Sequence, residues 1–516
     1  MRKLVTFLGA SVLSLAAMAT DYTGGLTVSI NEVNTSQQAT ITINENQGEY
    51  TLTLKNFILK IKDDELPVGN IVIDHVAGST TGGVTMLYAD RKITISEGDA
   101  GQTWIGPTLS LVPIKMSARF NADGMLVTNI DIDMQETLTQ TIKVAFSNTA
   151  EHFQMPNAGF EQWTDKTTEP KHWHGFKSAK GTMAKMAPST LEKSEECHAG
   201  KYSAVIASKK IFSITANGTM TNGQLSADAF KATDPKNHSE TDLSSTETDK
   251  NGDPFYTKLY AQPDYLQLWV KFSQETPNKD YPYATVSSTL TDGTYYQDPE
   301  DKAYGNVAAR AQNKEIATGD WRLIKIPFDY ATYAKNKATA KAILLTVSTN
   351  ATPGQGGDND QVWIDEVELG YEANITDLKF KGETLKGWNP ETSEYTINNY
   401  TQVPTAADFT ATLVGRSAVM GTVIETTKEA YIARVSVVSG DLAKGRTISV
   451  KFPIKESPIT KGDVNRDGKI DVNDATAAIN MILGSNKIDL EVADLNGDGK
   501  IGVSDVTAII NLFIKK

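Results

Sequence analysis

The amino-acid sequence predicts a mainly β, multidomain chain with a small α-helical segment at its C-terminal end. Three observations carry that prediction. From Tyr22 to about Asn148, apolar and polar residues alternate with period two in a series of short runs. Between about Phe153 and Tyr371, five of the seven tryptophans sit among further strand-like runs. After Thr460 a twelve-residue acidic phrase occurs twice, 31 residues apart, and each copy runs into apolar residues at helical spacing. With 516 residues the chain has room for several domains of ~100–200 residues each.

Residues 1–19 read as a secretory signal. Arg2 and Lys3 supply the positive start, Leu4 to Leu15 a short apolar stretch, and Ala17-Met18-Ala19 a cleavage site with small residues. The apolar stretch is shorter than the ~20 residues a membrane span needs, and no later segment is long and apolar enough. Export to the periplasm, the cell surface or the medium is therefore expected. The net charge of −13 disfavours nucleic acid and anionic membranes as partners. Cys197 is the single cysteine, so no internal disulfide forms. Its neighbours Glu195 and Glu196 would raise a thiol pKa, which argues against a nucleophile.

Residues 21–148 alternate in runs such as Leu26-Thr-Val-Ser-Ile30, Tyr50-Thr-Leu-Thr-Leu54 and Ile130-Asp-Ile-Asp-Met134, separated by Gly, Asn and Asp clusters. No helical pattern intervenes. Eight strands with short connections suit an up-and-down β-barrel or a sandwich. Leu66-Pro-Val-Gly-Asn-Ile-Val-Ile73 and the Ile130–Met134 strand resemble the calycin-like (lipocalin-like) domain of Bacteroidetes-type secreted multidomain proteins. The resemblance implies a small barrel whose mouth holds an apolar ligand. A packed barrel serving as a spacer fits the same residues.

Residues 153–371 open with Asn157-Ala-Gly-Phe-Glu-Gln-Trp163 and close with Val362-Trp-Ile-Asp-Glu-Val-Glu-Leu369. Between them lie the strand-like Leu266–Phe272 and Trp321–Phe328. The set resembles the jelly-roll β-sandwich of carbohydrate-binding modules, in particular the carbohydrate metabolism domain. That resemblance implies polysaccharide or glycan binding. It also implies a structural calcium held by Asn157, Gly159 through its carbonyl, Glu161 and Asp365, although Glu161 and Asp365 read equally well as surface carboxylates. Trp163, Trp173 and His174 are candidates for stacking on sugar rings, against the alternative that the tryptophans fill the core. Trp269 and Trp363 lie within strands and read as core. The polar stretch from Asn217 to Lys258 reads as a long exposed loop. Residues 373–456, with Leu378-Lys-Phe380 and Asn389-Pro-Glu-Thr-Ser-Glu-Tyr-Thr-Ile397, resemble a small cadherin-like, Ig-like sandwich. Ser457-Pro458 reads as a linker.

Residues 460–516 hold the repeated phrase. The first copy places Asp463, Asn465, Asp467, Lys469, Asp471 and Asp474 at positions one, three, five, seven, nine and twelve. The second places Asp494, Asn496, Asp498, Lys500 and Asp505 at one, three, five, seven and twelve, with Gly502 at nine. Calcium takes about 6–8 hard oxygen ligands, and this spacing supplies carboxylates, amides and a backbone carbonyl on one tight loop. Gly468 and Gly499 stand at position six, where the chain must turn sharply. Loop two lacks a position-nine side chain, so the two affinities should be unequal. Asp249-Lys-Asn251-Gly-Asp253 shares the first positions but has Pro254 at six, and reads as a plain turn.

One loop followed by one helix, given twice, with Asp at position twelve, resembles a type I dockerin. The resemblance implies two calcium ions and a cohesin-type partner domain. It also implies partner contacts at positions ten and eleven, here Val472-Asn473 and Val503-Ser504. No phosphate loop, zinc signature or nucleophile elbow is legible in the sequence. The leading expectation is a noncatalytic protein that binds glycan and attaches to a cohesin-bearing partner. A glycan-acting enzyme with its site in 153–371, or an apolar-ligand binder using the barrel, are the alternatives.

Overall fold

The computed structural model describes residues 18–61, 64–135, 139–150, 153–166, 168–186, 191–211, 214–454, 460–485 and 488–514. Residues 1–17 of the predicted signal (1–19) and the Ser457-Pro458 linker lie outside them, while Met18 and Ala19 open the first strand. Two compact units are present: 1–393 with 405–423 and 434–448, and 394–404 with 424–433 and 449–516.

The N-terminal domain is a closed eight-stranded barrel. Strands Met18–Ile30, Val33–Asn46, Glu49–Ile61, Asp64–Thr81, Val84–Ile93, Val112–Asn121, Leu126–Met134 and Gln140–Ser147 follow one another around it. The first strand closes on the last, with Leu26 opposite Phe146. Alternation turns Leu26, Ile41, Leu52, Ile73, Ile114 and Phe146 inward. These branched and aromatic side chains leave a cavity of only about 50 Å³, well below the ~300–1,000 Å³ of small-molecule pockets. The expected apolar ligand therefore has no room in this conformation, and the spacer alternative fits better. On the barrel's outer wall, Met86 and Tyr88 pack against Val438 and Leu442. The Ser117 hydroxyl donates to the Leu442 carbonyl (2.8 Å, buried).

The central domain is a two-sheet sandwich. One sheet runs Leu191–Ser194, Ser203–Ala207, Gln361–Gly370, Tyr265–Ser273, Gly319–Pro327. The other runs Thr219–Thr221, Ala342–Ser348, Tyr283–Thr291, Val307–Ala317. Period-two alternation buries Leu266, Leu268, Val270 and Phe272 from the first sheet, and Ala284, Val286, Leu345 and Val347 from the second. The stretch 217–258 is not the exposed loop the composition predicts. It contributes Thr219–Thr221 to the second sheet, and Gln224–Ser226 and His238–Thr241 to a small three-stranded sheet. Several of its polar residues are buried, and hydrogen bonds offset the cost. Asn222, for example, donates to the Ile343 carbonyl (2.9 Å) and accepts from the Leu345 N–H (2.6 Å).

Next comes a three-stranded sheet, Glu383–Thr384, Asn374–Phe380, Phe409–Val414. A four-stranded sheet also forms, in which Glu394–Thr396 runs parallel to Gly445–Pro453. At the end of the chain helix α1 (Val472–Ile482), the single turn α2 (Leu490–Ala493) and helix α3 (Val503–Ile514) surround Val464, Ala475, Ala478, Met481, Val492, Val506 and Ile509. Among the described residues no helix is long and apolar enough to cross a membrane.

Candidate functional site

The two acidic loops are built by the same hydrogen bonds. In loop one Asp463 Oδ1 accepts from the Asp467 N–H (3.0 Å), and its Oδ2 accepts from Gly468 N–H (2.8 Å). Asp474 Oδ1 accepts from the N–H groups of Val464 (2.7 Å) and Asn465 (3.0 Å), and its Oδ2 from that of Asp471 (2.8 Å). In loop two Asp494 serves Asp498 and Gly499 in the same way. Asp505 serves Leu495, Asn496 and Gly502. Gly468 and Gly499 take φ of +81° and +80°, the left-handed turn that position six requires.

The four carboxylates at positions one and twelve are buried, while Asn465, Asp467, Asn496 and Asp498 are exposed. Burial pushes the Asp505 carboxyl up, but the N–H groups of Gly502, Asn496 and Leu495 outweigh it and hold it below the usual carboxylate range. An oxygen-only donor set fits a calcium ion. Among the described residues no three His, Cys, Asp or Glu side chains gather as a metal cluster, in the loops or elsewhere. An ion in either loop would thus draw on the Asn amide oxygen and the carbonyl of Lys469 or Lys500 as well as on carboxylates. The loops differ at position nine. Asp471 caps α1, its side chain accepting from the Asn473 N–H (2.8 Å), whereas Gly502 offers no such group.

The helices bury only part of the apolar stripe that their spacing predicts. Ala475, Ala478, Val506 and Ile509 turn into the core. Val472 and Leu483 on α1 and its C-cap are 63% and 72% exposed, and Val503 and Ile514 on α3 are 78% and 69% exposed. Asn473 and Ser504 are exposed beside them. Each pair is again 31 residues apart, so one outward apolar edge is presented twice. Leu483 and Ile514 continue the apolar spacing of the two helices yet stay exposed, because the core is too thin to cover both sides of either helix.

In the central sandwich the residues expected to bind sugar are not on an open surface. Trp173 and His174 are fully buried. Trp173 lies at 5.2 Å from the Phe160 ring and donates its indole N–H to the Pro156 carbonyl (3.0 Å). Trp163 is half-buried against the same core. Trp269 and Trp363, read as core, instead point away from it: Trp269 stacks on His198 at 3.5 Å and Lys271 lies over Trp363 at 5.1 Å.

His174 Nε2 faces the Pro254 carbonyl (3.4 Å), and Nδ1 lies 3.9 Å from the buried Asp249 carboxylate. Burial lowers the imidazole pKa to about 4, although Asp249 opposes the shift. An unfolded chain titrates this ring near ~6.5, so it takes up a proton that the folded chain refuses. The stabilisation is complete above pH ~6.5 and is lost as the pH falls toward 4, by about 3 kcal/mol. Urea unfolding between pH 7 and 4.5 should show that slope, and His174→Gln should flatten it; an unchanged slope would contradict the assignment.

The side chains of the expected jelly-roll calcium set are each engaged in local hydrogen bonds. Glu161 accepts from the N–H groups of Lys201 (2.7 Å) and Tyr202 (3.1 Å), and Asp365 from those of His198 (2.9 Å) and Ala199 (3.1 Å), so both hold one loop. Asn157 is engaged with Gln162 and Lys171, and an added Cβ at Gly159 would meet nothing within 4 Å. Burial raises the Asp365 carboxyl against three backbone donors. The turn at Asp249–Asp253 is closed by its own backbone, Asp249 Oδ1 accepting from the N–H groups of Asn251 (2.8 Å) and Asp253 (2.9 Å).

A feature that the sequence did not reveal is a groove of about 440 Å³ over the second sheet. Its floor is the outward face of that sheet, with Thr219, Thr285, Ser287, Thr346, Ser348 and Gln312. Its walls include Phe176, Met183, Met186 and Phe230. The signal was the alternation of hydroxyl residues with core residues in Tyr283–Thr291 and Ala342–Ser348, but the wall residues come from segments too irregular to place.

Barrel, sandwich and paired loops together define a multidomain β protein with a metal-loop module at its end. Comparison with known families sharpens both ends. Residues 18–149 match the calycin-like beta-barrel domain, and residues 461–514 match the dockerin type I domain. No curated protein matches the chain. Among solved structures, a non-crystalline cellulose specific carbohydrate-binding module is similar at 9% identity, covering 43% of this chain and 95% of its own, with a TM-score of 0.22. SGBP-B from a complex xyloglucan utilization locus in Bacteroides uniformis is similar at 12% identity, covering 69% and 99%, with a TM-score of 0.18. These TM-scores do not establish a shared fold, so the central domain rests on its own strands.

Proposed function

We propose that this is an exported, noncatalytic attachment protein. Its central sandwich holds a polysaccharide in the groove, and its dockerin binds two calcium ions and a cohesin-type domain. The observation that supports this most is the repetition of the loop hydrogen bonds together with an outward apolar edge at the same 31-residue offset. A duplicated edge of this kind serves one partner surface in either of two orientations. The two acids lining the groove, Asp298 and Glu300, both face Arg310 (3.5 and 3.2 Å), and that ion pair opposes use of either as a general acid. The barrel, packed inside and anchored at Leu442, acts as a support.

The test is binding of the whole protein to a panel of recombinant cohesin domains in calcium and in chelator. Capture in calcium alone supports the reading, and capture equal in both contradicts it. Leu483→Asp or Ile514→Asp alone should change affinity only a few-fold, because the other copy still serves. The double substitution should cost roughly 30-fold or more, the scale of losing an interface hot spot. Losses that simply add would argue against two equivalent edges. Release of soluble sugar from a bound polysaccharide would overturn the noncatalytic part.

A further inference from the structure

We infer that the groove is built for an uncharged polysaccharide chain; this rests on the glycan-binding reading above. The floor gives the chemistry. Thr219, Thr285, Ser287, Thr346 and Ser348 line it with hydroxyls; several are engaged within the protein, as Thr285 Oγ1 is in donating to the Asn313 carbonyl (3.0 Å), and a hydroxyl that donates inward keeps a lone pair to accept from a sugar hydroxyl. Asn217 also lines the groove, and its buried Oδ1 has no hydrogen-bond partner among the described residues. Such an acceptor is costly when left alone and is satisfied by a ligand hydroxyl. The wall gives the apolar half of the match. Phe230 is 63% exposed beside the groove, and its ring offers a face for the C–H side of a pyranose.

The charges give the class. Five ionisable residues line the groove: His238, Asp298, Glu300, Arg310 and Lys314. Arg310 is committed to Asp298 and Glu300, to the Tyr296 hydroxyl, and to Thr289 Oγ1 (3.1 Å). His238 sits between the Pro235 carbonyl and the Glu240 carboxylate, both at 2.8 Å. Lys314 is exposed and makes no ion pair among the described residues, so Arg310 and Lys314 stand against Asp298 and Glu300 and the lining has no net positive charge to repay a polyanion for approaching those carboxylates. The chain's net charge of −13 adds a long-range repulsion. An uncharged chain meets none of these costs.

The experiment is affinity electrophoresis and calorimetry of the full protein against neutral polymers (hydroxyethyl cellulose, xyloglucan, mannan, starch) and polyanions (polygalacturonate, alginate, chondroitin sulfate). Binding to at least one neutral polymer, unchanged from 50 to 500 mM salt, is the expected result. Phe230→Ala should weaken it roughly tenfold, as should Gln312→Ala at the exposed edge of the floor, while Lys314→Gln should leave it within twofold. Both altered aromatic and amide side chains are exposed or rim residues, and an unchanged melting curve confirms folding. Binding to a polyanion that falls with salt and in Lys314→Gln would overturn the inference and leave the glycan reading intact. Neutral binding untouched by Phe230→Ala and Gln312→Ala would overturn the groove as its seat. Binding to none of the polymers would overturn both.

Discussion

Replacing Asp474 with Ala is expected to unfold the C-terminal module and abolish cohesin capture. Asp474 is fully buried, and its two carboxylate oxygens accept three backbone N–H groups, those of Val464, Asn465 and Asp471. Alanine removes both acceptor oxygens and orphans three donors, that of Val464 buried and the other two part-buried. Each orphaned donor costs about 1–3 kcal/mol, so the sum is comparable with the whole stability of a small module. The same change removes the position-twelve ligand from loop one. In the full protein a calorimetric calcium titration should lose at least one of two sites, and the helical signal should melt early. Asp505→Ala should behave alike, since it accepts from Leu495, Asn496 and Gly502. Asp471→Ala is the contrast. It removes a helix cap worth about 1 kcal/mol, so the module should stay folded. An Asp474→Ala protein that keeps both calcium sites would refute this account of the loops.

The parts of the structure legible in the sequence were those set by a short period or a fixed spacing. The barrel strands follow from alternation, since one face must be buried and one wet. The loops follow from spacing, because an oxygen shell on twelve residues leaves little freedom. What escaped was set by tertiary context. The stretch 217–258 looks polar enough for a loop, yet Thr221, Ser239 and Thr241 are buried in sheets and Asn222 beside them, where most of their polar atoms find partners. Composition alone cannot tell a wet polar residue from a satisfied one. The groove escaped for a related reason. Its floor is a local alternation, but its walls are assembled from segments as distant as Phe176, Phe230 and Pro353. In α1 and α3, likewise, periodicity marked an apolar stripe without saying how much of it the small core could cover.

The tryptophans put the same point to a quantitative test. Sequence context left Trp173 between sugar stacking and core filling and assigned Trp269 to the core; the sandwich buries Trp173 and turns Trp269 outward. Trp173 is fully buried against Phe160 with its N–H satisfied by Pro156. Trp173→Ala should therefore cost about 3–5 kcal/mol through the cavity it opens and the carbonyl it orphans. Trp269 occupies an outward position of Tyr265–Ser273, half-buried under the His198 ring. Its removal forfeits one stacked pair and some area, about 1–2 kcal/mol. Denaturant unfolding of the full protein, followed by the fluorescence of the remaining tryptophans, compares the two. The ratio matters more than either value, because both substitutions remove the same side chain. Equal losses would mean that the alternation of Tyr265–Ser273 does not decide which face is core. A loss concentrated at Trp173 would mean that burial, not glycan contact, holds that side chain in place, and that glycan recognition is to be sought in the groove.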